Sequence, residues 1–132
     1  MATKIPESFV DILDKKTFVH LATLGKGGAP QVSPVWVDRE GDLIVVNSAK
    51  GRVKDRNIRS QGKVALSATD PDNPYRALMI QGKVVKITEE GADAHIDKMA
   101  KKYLGQDKYP FRTPTEVRVK YYIEPTHVAT MG

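Results

Sequence analysis

The chain has 132 residues, with 21 Lys and Arg against 16 Asp and Glu, so its formal net charge is +5 at pH 7. That length predicts a single domain over residues 1–132, and 40% apolar with 28% charged residues is typical of a folded globular protein. The sequence contains no cysteine, which excludes disulfides, thiolate metal sites and thiol catalysis. We find neither the apolar core of a signal peptide nor a run of membrane-spanning length, and we therefore expect a cytoplasmic protein.

The N-terminal segment predicts a short helix. Pro6 lies where a proline is tolerated in a first helical turn, and the apolar side chains that share one helical face are Phe9, Ile12 and Leu13. We expect this helix to pack one side against the rest of the domain.

Three strands are predicted next, at residues 18–25, 31–38 and 43–48, because the apolar pattern changes to the alternation of a strand. Short turns of sequence KGGAP and REGD separate them, which favours an antiparallel meander. Pro34 cannot donate a ladder hydrogen bond, so we expect an unpaired or bulged point there, where a ligand could dock against the backbone.

Three segments of the second half also have the pattern of strands, at residues 63–70, 75–87 and 117–131. Gly82 near the middle of the second one predicts a bulge or a close approach of another backbone. Pro125 interrupts the last one.

Residues 88–105 predict the main helix, with Thr88 as its cap and Gly105 at its end. His95 is expected on the exposed side of this helix. The chain thus contains about six strands and two or three short helices, and strands joined in succession by tight turns argue against a parallel sheet. The pattern favours a mainly β fold, a small antiparallel barrel with helices over its openings.

A basic segment, residues 47–63, contains one carboxylate and six cations: Lys50, Arg52, Lys54, Arg56, Arg59 and Lys63. It follows a strand that ends in Asn47 and Ser48, and it opens a short predicted helix. Backbone N–H groups at a helix start attract anions, to which an arginine adds a bidentate fork and a lysine a point charge. The pattern is consistent with an anion site formed by Ser48, Arg52 and Lys54.

Two other interpretations of the basic segment remain open at this stage. Runs of charge are often solvated faces of a helix, and here Arg52, Arg56 and Arg59 share such a face. A basic protein can also bind nucleic acid, but the segment lacks the aromatic platform of a single-strand binder and no helix-turn-helix is visible. We therefore expect no nucleic-acid partner.

No other motif points to a catalytic or metal site. The histidines, at positions 20, 95 and 127, lack metal-ligand spacing, and no nucleophile motif surrounds the serines at positions 33, 48 and 67. There is no phosphate-binding loop of known type, and GKGG at 25–28 is most simply a hairpin turn. We predict no metal site and no catalytic acid, base or nucleophile.

The motifs PQVSPVW, GRVKDRNIR and DPDNPYR…GKV, in this order, resemble the pyridoxamine 5′-phosphate oxidase-like split β-barrel family. Within it the chain is similar to the flavin and deazaflavin oxidoreductases, in particular those that use coenzyme F420. The resemblance implies a six-stranded antiparallel split β-barrel with two or three short flanking helices. It also implies a homodimer with the cofactor in a groove at the subunit interface.

For the site, the resemblance implies that the cofactor ring lies against two strands and that its phosphate meets the basic segment. Trp36 either lines the ring or fills the barrel, while Arg76 and residues 109–111 of the other subunit close the pocket. The implied cofactor-binding residues are Ser33, Pro34, Val35, Trp36, Val46, Asn47, Ser48, Arg52, Lys54, Asn57, Tyr75 and Gln81, the last two from the other subunit.

The implied function is an oxidoreductase that transfers hydride from reduced F420 to an unsaturated or quinone-like small organic acceptor. Hydride chemistry belongs to the cofactor, which agrees with the lack of a catalytic residue. F420 is favoured over FMN because its oligoglutamate tail would use spare cations, namely Lys50, Arg56, Arg59 and Arg112. The alternatives are an FMN-binding reductase of the same fold and a carrier that binds flavin or F420 without turnover. Oxidation of vitamin B6 is not expected, since the chain has no counterpart of that enzyme's substrate-phosphate residues.

Overall fold

Seven strands form one antiparallel sheet in the computed structural model, which describes residues 3–132. They are β1 (Val19–Leu24), β2 (Pro30–Val35), β3 (Asp38–Glu40), β4 (Leu43–Ala49), β5 (Lys63–Asp70), β6 (Asn73–Thr88) and β7 (Arg118–Met131). Their order across the sheet is β2-β1-β5-β6-β7-β4-β3. The predicted mainly β, antiparallel fold is confirmed.

The two edge strands of the sheet, β2 and β3, are consecutive in the chain and are separated by Trp36 and Val37 alone. At most roughly 11 Å can separate the Cα atoms of Val35 and Asp38, given the length of an extended chain. The two edges must therefore lie close together, so the sheet curls on itself as expected of a split barrel.

This crossing from edge to edge explains why there are seven strands and not the predicted six. Residues 31–38 were predicted as one strand, but they divide at Trp36, and β3 pairs with β4. The predicted three-strand meander is confirmed only as two antiparallel hairpins, β1–β2 and β3–β4, which lie at opposite ends of the strand order. Pro34 causes no bulge, since its register with β1 is unbroken and β2 is an edge of the described sheet.

Three α-helices flank the sheet: α1 (Asp11–Asp14), α2 (Val53–Ser60) and α3 (Ala92–Leu104). The predicted N-terminal helix is confirmed as a 3₁₀ turn at Glu7–Phe9 followed by α1, whose Ile12 and Leu13 are buried. None of the helices in residues 3–132 combines the length and the apolar character that a bilayer crossing requires.

The main helix α3 begins later than predicted. Thr88 still belongs to β6, and its hydroxyl accepts a hydrogen bond from the backbone N–H of Glu90 in the turn that follows. Gly91, with a positive φ of 72°, occupies the cap position, so the predicted Thr88 cap is wrong. The predicted end is confirmed, since Gly105 has a φ of 69° and its N–H bonds back to the carbonyls of Ala100 and Lys101.

The inner face of the sheet forms the main core, which contains Val19, Leu21, Val46, Leu78, Tyr121 and Ile123 together with Ile12 and Leu13 of α1. A second, smaller cluster joins Ile96, Met99 and Tyr103 of α3 to Trp36 and Tyr109. The Tyr103 hydroxyl donates to the Thr17 carbonyl and accepts from the Val37 N–H, so it pins α3 to the crossing between β2 and β3. Trp36 therefore packs under α3 and does not fill the barrel.

Arg76, which was expected to close a pocket, lies in an ion-pair cluster at the base of β6. Its guanidinium contacts the carboxylates of Asp11 at 2.7 Å and Asp70 at 2.8 Å and covers the ring of Phe9. These contacts tie the N-terminal helix to the turn between β5 and β6.

Gly82 confirms the predicted bulge and close approach. The β6–β7 register shifts between Gln81 and Gly82, and a Cβ at Gly82 would lie 2.8 Å from Ile123 Cγ2 and 2.9 Å from the Glu124 carbonyl oxygen. We expect Gly82→Ala to lower the free energy of unfolding by about 1–2 kcal/mol, since the strand must shift to relieve the overlap. Urea denaturation would measure the loss.

Gly62→Ala is the matched control, because a Cβ there would meet its nearest atom, the Val84 carbonyl oxygen, at an ordinary 3.6 Å. Equal losses in the two variants would contradict the close-approach argument.

Candidate functional site

A groove of about 210 Å³ opens where β2, β4 and the start of α2 meet α3 and the loop that follows it. One wall is apolar and mostly aromatic, formed by Phe18, Trp36, Ile96, Tyr109 and Phe111. The other end is polar and carries Asn47, Arg52, Lys54 and Arg118. A groove of this kind fits a ligand with one flat apolar part and one anionic part.

The aromatic wall is a continuous set of packed rings. Trp36 stacks on Tyr103 with ring centroids 5.1 Å apart and an interplanar angle of 6°. Tyr109 meets the edge of Trp36 at 6.1 Å, and Phe111 meets Tyr109 at 5.7 Å. Because Tyr103 is itself anchored by two buried hydrogen bonds, Trp36 presents a rigid flat surface.

The polar end carries an excess of positive charge. Arg118 pairs with Glu116 at 2.8 Å, and Arg52 lies 3.6 Å from the other oxygen of the same carboxylate. Lys54 forms no ion pair with a carboxylate of residues 3–132; burial, and then repulsion from Arg52 and Arg118, lowers its pKa. Two of these three cations share one carboxylate and the third has none among the described residues, and a bound anion would relieve their repulsion.

The start of α2 adds to this positive field. Arg52 occupies the cap position with an extended backbone, and no side chain in the described part of the chain caps the helix. The first N–H groups of a helix have no partner within the helix, and they carry partial positive charge. The groove therefore combines fixed side-chain charge with backbone donors at one end.

Comparison with known protein families matches residues 5–131 to the family described as pyridoxamine 5′-phosphate oxidase. The chain belongs to the pyridoxamine 5′-phosphate oxidase family. Among solved structures, one described as an F420 reductase is 32% identical, covers 95% of this chain and 98% of its own, and superposes with a TM-score of 0.83.

Two solved structures of lower sequence identity are similar to this chain in fold alone. The heme storage protein HutZ from Vibrio cholerae is 12% identical with a TM-score of 0.69, covering 98% of this chain and 96% of its own. A conserved hypothetical protein from Mycobacterium tuberculosis is 18% identical with a TM-score of 0.74, covering 98% and 86%. A comparison with curated proteins found no match.

In this oxidase-family chain, half of the twelve predicted cofactor residues line the groove: Pro34, Val35, Trp36, Asn47, Arg52 and Lys54. Val46 lies behind it in the barrel core. The hydroxyls of Ser33 and Ser48 are buried without a hydrogen-bond partner among the described residues. An unpartnered buried hydroxyl costs about 1–3 kcal/mol, so both would gain from a ligand that reached them.

The other three predicted residues lie elsewhere in the oxidase-family chain. Asn57 faces away from the groove and donates to the Thr23 hydroxyl at 3.0 Å, which ties α2 to β1. Tyr75 is exposed at the start of β6, and Gln81 lines two cavities over the outer face of β1, β5, β6 and β7, apart from the groove. Within a single chain these side chains do not meet the groove.

Five groove residues were missed or were expected from the other subunit. Phe18, Ile96 and Arg118 were not among the predicted cofactor-binding residues. The loop with Tyr109 and Phe111, expected from the other subunit, packs on Trp36 of its own chain. The signal for Arg118 was its position on the outward face of β7, but its neighbours there follow only from the strand pairing.

His95 also differs from its prediction, because it is buried and not exposed. The helix α3 covers the outer face of β4, which places His95 between Asn47 and Asp38, at 3.0 Å from each. Among residues 3–132, no group of three His, Cys, Asp or Glu side chains is arranged to hold a metal ion.

The four cations that were predicted to be spare for an oligoglutamate tail all have protein partners. Three of the four are engaged by carboxylates, in the pairs Lys50–Glu89 at 3.4 Å, Arg59–Asp55 at 3.0 Å and Arg112–Asp97 at 2.7 Å. Arg56 donates to the Gly51 carbonyl at 3.0 Å. Charge count outside the groove therefore does not distinguish F420 from FMN.

Proposed function

We propose that this protein is an oxidoreductase that uses coenzyme F420 to deliver hydride to an unsaturated or quinone-like small organic acceptor. The observation that carries the proposal is the groove, in which a flat aromatic wall ends at three cations, of which, within residues 3–132, only Arg52 and Arg118 contact a carboxylate, that of Glu116. The 32% identity to an F420 reductase over 95% of the chain supports the choice of cofactor.

The residues present fit such a cofactor. A planar ring would lie against Trp36, and a phosphate would meet Arg52, Lys54 and the first N–H groups of α2. Ser48 lies on the same side of β4 as Val46, toward the core, and does not line the groove, so this phosphate would meet the two cations and not the Ser48 hydroxyl.

When bound, the cofactor supplies the hydride chemistry. The chain contributes a rigid surface that orients the ring, cations that hold the anionic end, and an apolar wall that excludes water from one side of the groove. We assign no catalytic acid, base or nucleophile.

We further propose that two copies associate through the face of the sheet that points away from the core. Two adjoining cavities of about 480 and 410 Å³ lie on this face, and Gln81 and His127 line both. Exposed apolar side chains extend along it, among them Val32, Met79 and Met131. In such a dimer Tyr75 and Gln81 would approach the groove of the partner.

We expect Met79→Glu to convert the dimer to a monomer, because each interface would bury an unpaired carboxylate. Light scattering after size exclusion would measure the mass. Val85→Glu is the matched control, since Val85 is similarly exposed but lines neither cavity. A wild-type monomer, or a dimer that survives Met79→Glu, would contradict this interface.

The lowered pKa of Lys54 predicts how binding depends on pH. An anion in the groove would raise the pKa of Lys54 above its value in the free protein, which burial and the neighbouring Arg52 and Arg118 hold below the ordinary 10.5. The affinity should therefore be constant while Lys54 is protonated and fall as the pH rises through that lowered pKa. Affinity measured against pH across the alkaline range, in wild type and in Lys54→Gln, would isolate the contribution of Lys54. The variant should lack this fall in affinity, whereas any fall that comes from titration of the ligand should remain.

Fluorescence titration with F420, alongside FMN, tests the cofactor directly. We expect F420 to bind and FMN to bind more weakly. If the purified protein is yellow with an FMN spectrum and has no affinity for F420, then its cofactor is FMN and not F420. A protein that binds reduced F420 yet oxidises it with none of a panel of enone and quinone acceptors would be a carrier.

A further inference from the structure

Behind the groove, four side chains from β7, β4, α3 and β3 form one chain of hydrogen bonds. Arg118 Nε lies 2.9 Å from Asn47 Oδ1, and Asn47 Nδ2 lies 3.0 Å from His95 Nδ1. His95 Nε2 in turn lies 3.0 Å from Asp38 Oδ2. His95 does not line the groove, whereas Asn47 and Arg118 do.

The donor and acceptor roles in this chain follow from its chemistry. The Nε–H of arginine can only donate, so the amide oxygen of Asn47 must face Arg118. The amide nitrogen then donates its two hydrogens, one to the Ala92 carbonyl at 2.9 Å and one to His95 Nδ1. His95 Nδ1 must therefore be an acceptor, and the ring proton lies on Nε2, which donates to Asp38.

The charges around His95 agree with this tautomer. Burial by itself would raise the pKa of Asp38, but hydrogen bonds from His95, the Arg39 N–H and Lys98 lower it overall, so Asp38 is a carboxylate acceptor. Lys98, one turn further along α3, contacts the same oxygen of Asp38 at 3.1 Å. Arg118 faces His95 only through the neutral amide of Asn47.

We infer that His95 is a positioning residue: as the Nε2–H tautomer it fixes the amide of Asn47, which holds the guanidinium of Arg118 at the polar end of the groove. A ring without a nitrogen at the Nδ1 position removes one of the two hydrogen bonds that hold the Asn47 amide nitrogen and leaves only the one to the Ala92 carbonyl, so the amide oxygen is held less firmly against Arg118 Nε. The consequence for ligand affinity rests on the proposed function, but the positioning of Arg118 does not.

Nuclear magnetic resonance of the ligand-free protein tests the positioning by itself. Nitrogen spectra of the histidine rings should show an unprotonated Nδ1 and a protonated Nε2 for His95. Exchange of the Arg118 Nε–H with solvent should quicken about tenfold in His95→Phe, the change expected when a buried hydrogen bond is lost. In His95→Gln, whose amide can accept from Asn47 and donate to Asp38, exchange should remain slow.

Lys98→Ala is the control, because Lys98 contacts the same Asp38 oxygen but neither His95 nor Asn47. A proton on Nδ1 of His95, or exchange of Arg118 Nε–H that His95→Phe leaves unchanged, would overturn the inference. If His95→Phe does not fold, the ring tautomer in wild type and the Gln variant still decide it.

Titration with F420 then measures the consequence at the groove. We expect His95→Phe to weaken binding about tenfold, and to add almost nothing when Arg118 is already alanine, because residues that act through one another are not additive. If the loss of F420 affinity in the double variant equals the sum of the losses in the two single variants, then His95 does not act through Arg118. If the wild-type protein binds neither F420 nor FMN, the proposed function is contradicted. The resonance measurements on the ligand-free protein would still test whether His95 positions Arg118.

Discussion

Arg118→Ala should lower the free energy of unfolding by about 3 kcal/mol, the scale seen when one partner of a buried ion pair is removed. Arg118 is 4% exposed, donates to Asn47 and Glu116, and lies 5.1 Å over the ring of Tyr109. The variant leaves the Glu116 carboxylate, whose side chain is 8% exposed, with only the more distant Arg52. Chemical denaturation would measure the loss, and ligand affinity should fall with it.

Arg112→Ala is the matched control for Arg118. Arg112 also pairs with carboxylates, Asp93 and Asp97, but it is far more exposed, so its removal should cost less than about 1 kcal/mol. Arg118→Lys keeps the charge but loses the planar fork, and should fall between wild type and alanine. Equal effects of Arg112→Ala and Arg118→Ala would refute the structural role assigned to Arg118.

Lys54→Ala or Arg52→Ala should each weaken cofactor binding by about 1.5–3 kcal/mol, the scale of a hydrogen bond to a charged group. Neither variant should lose much stability. The ammonium of Lys54 is disfavoured by burial and by two like charges, and Arg52 is exposed with a long contact to Glu116. Loss of affinity without loss of stability is the expected signature of a side chain kept for a ligand.

Arg56→Ala provides the control for these two variants. It removes the same charge from the same segment, but Arg56 donates to the Gly51 carbonyl and does not line the groove. Its effect should be confined to long-range attraction and should fade as salt is added. If wild type, Lys54→Ala and Arg52→Ala bind the cofactor equally well, then the phosphate of the cofactor does not bind at this end of the groove.

Much of the fold and the cationic end of the site could be predicted from local patterns. Residues 63–70 alternate so regularly that the predicted and observed strand coincide, and Gly105 stops α3 where a left-handed residue is needed. The basic segment after β4 opens a helix beside Asn47, as its charges and position predicted. These features depend on neighbouring residues, and the sequence displays such neighbours directly.

Non-local contacts set the rest. Alternation of apolar and polar residues along a strand distinguishes its two faces, but it does not say what covers the outer face. In this fold α3 covers the outer face of β4, so His95 is buried and Trp36 lies under a helix. The same holds for Arg118, whose partners come from β4 and from the loop with Tyr109. The amino-acid pattern was sufficient for the strands, the turns and the charge; the curling of the sheet, which brings distant segments together, determined which side chains share the groove.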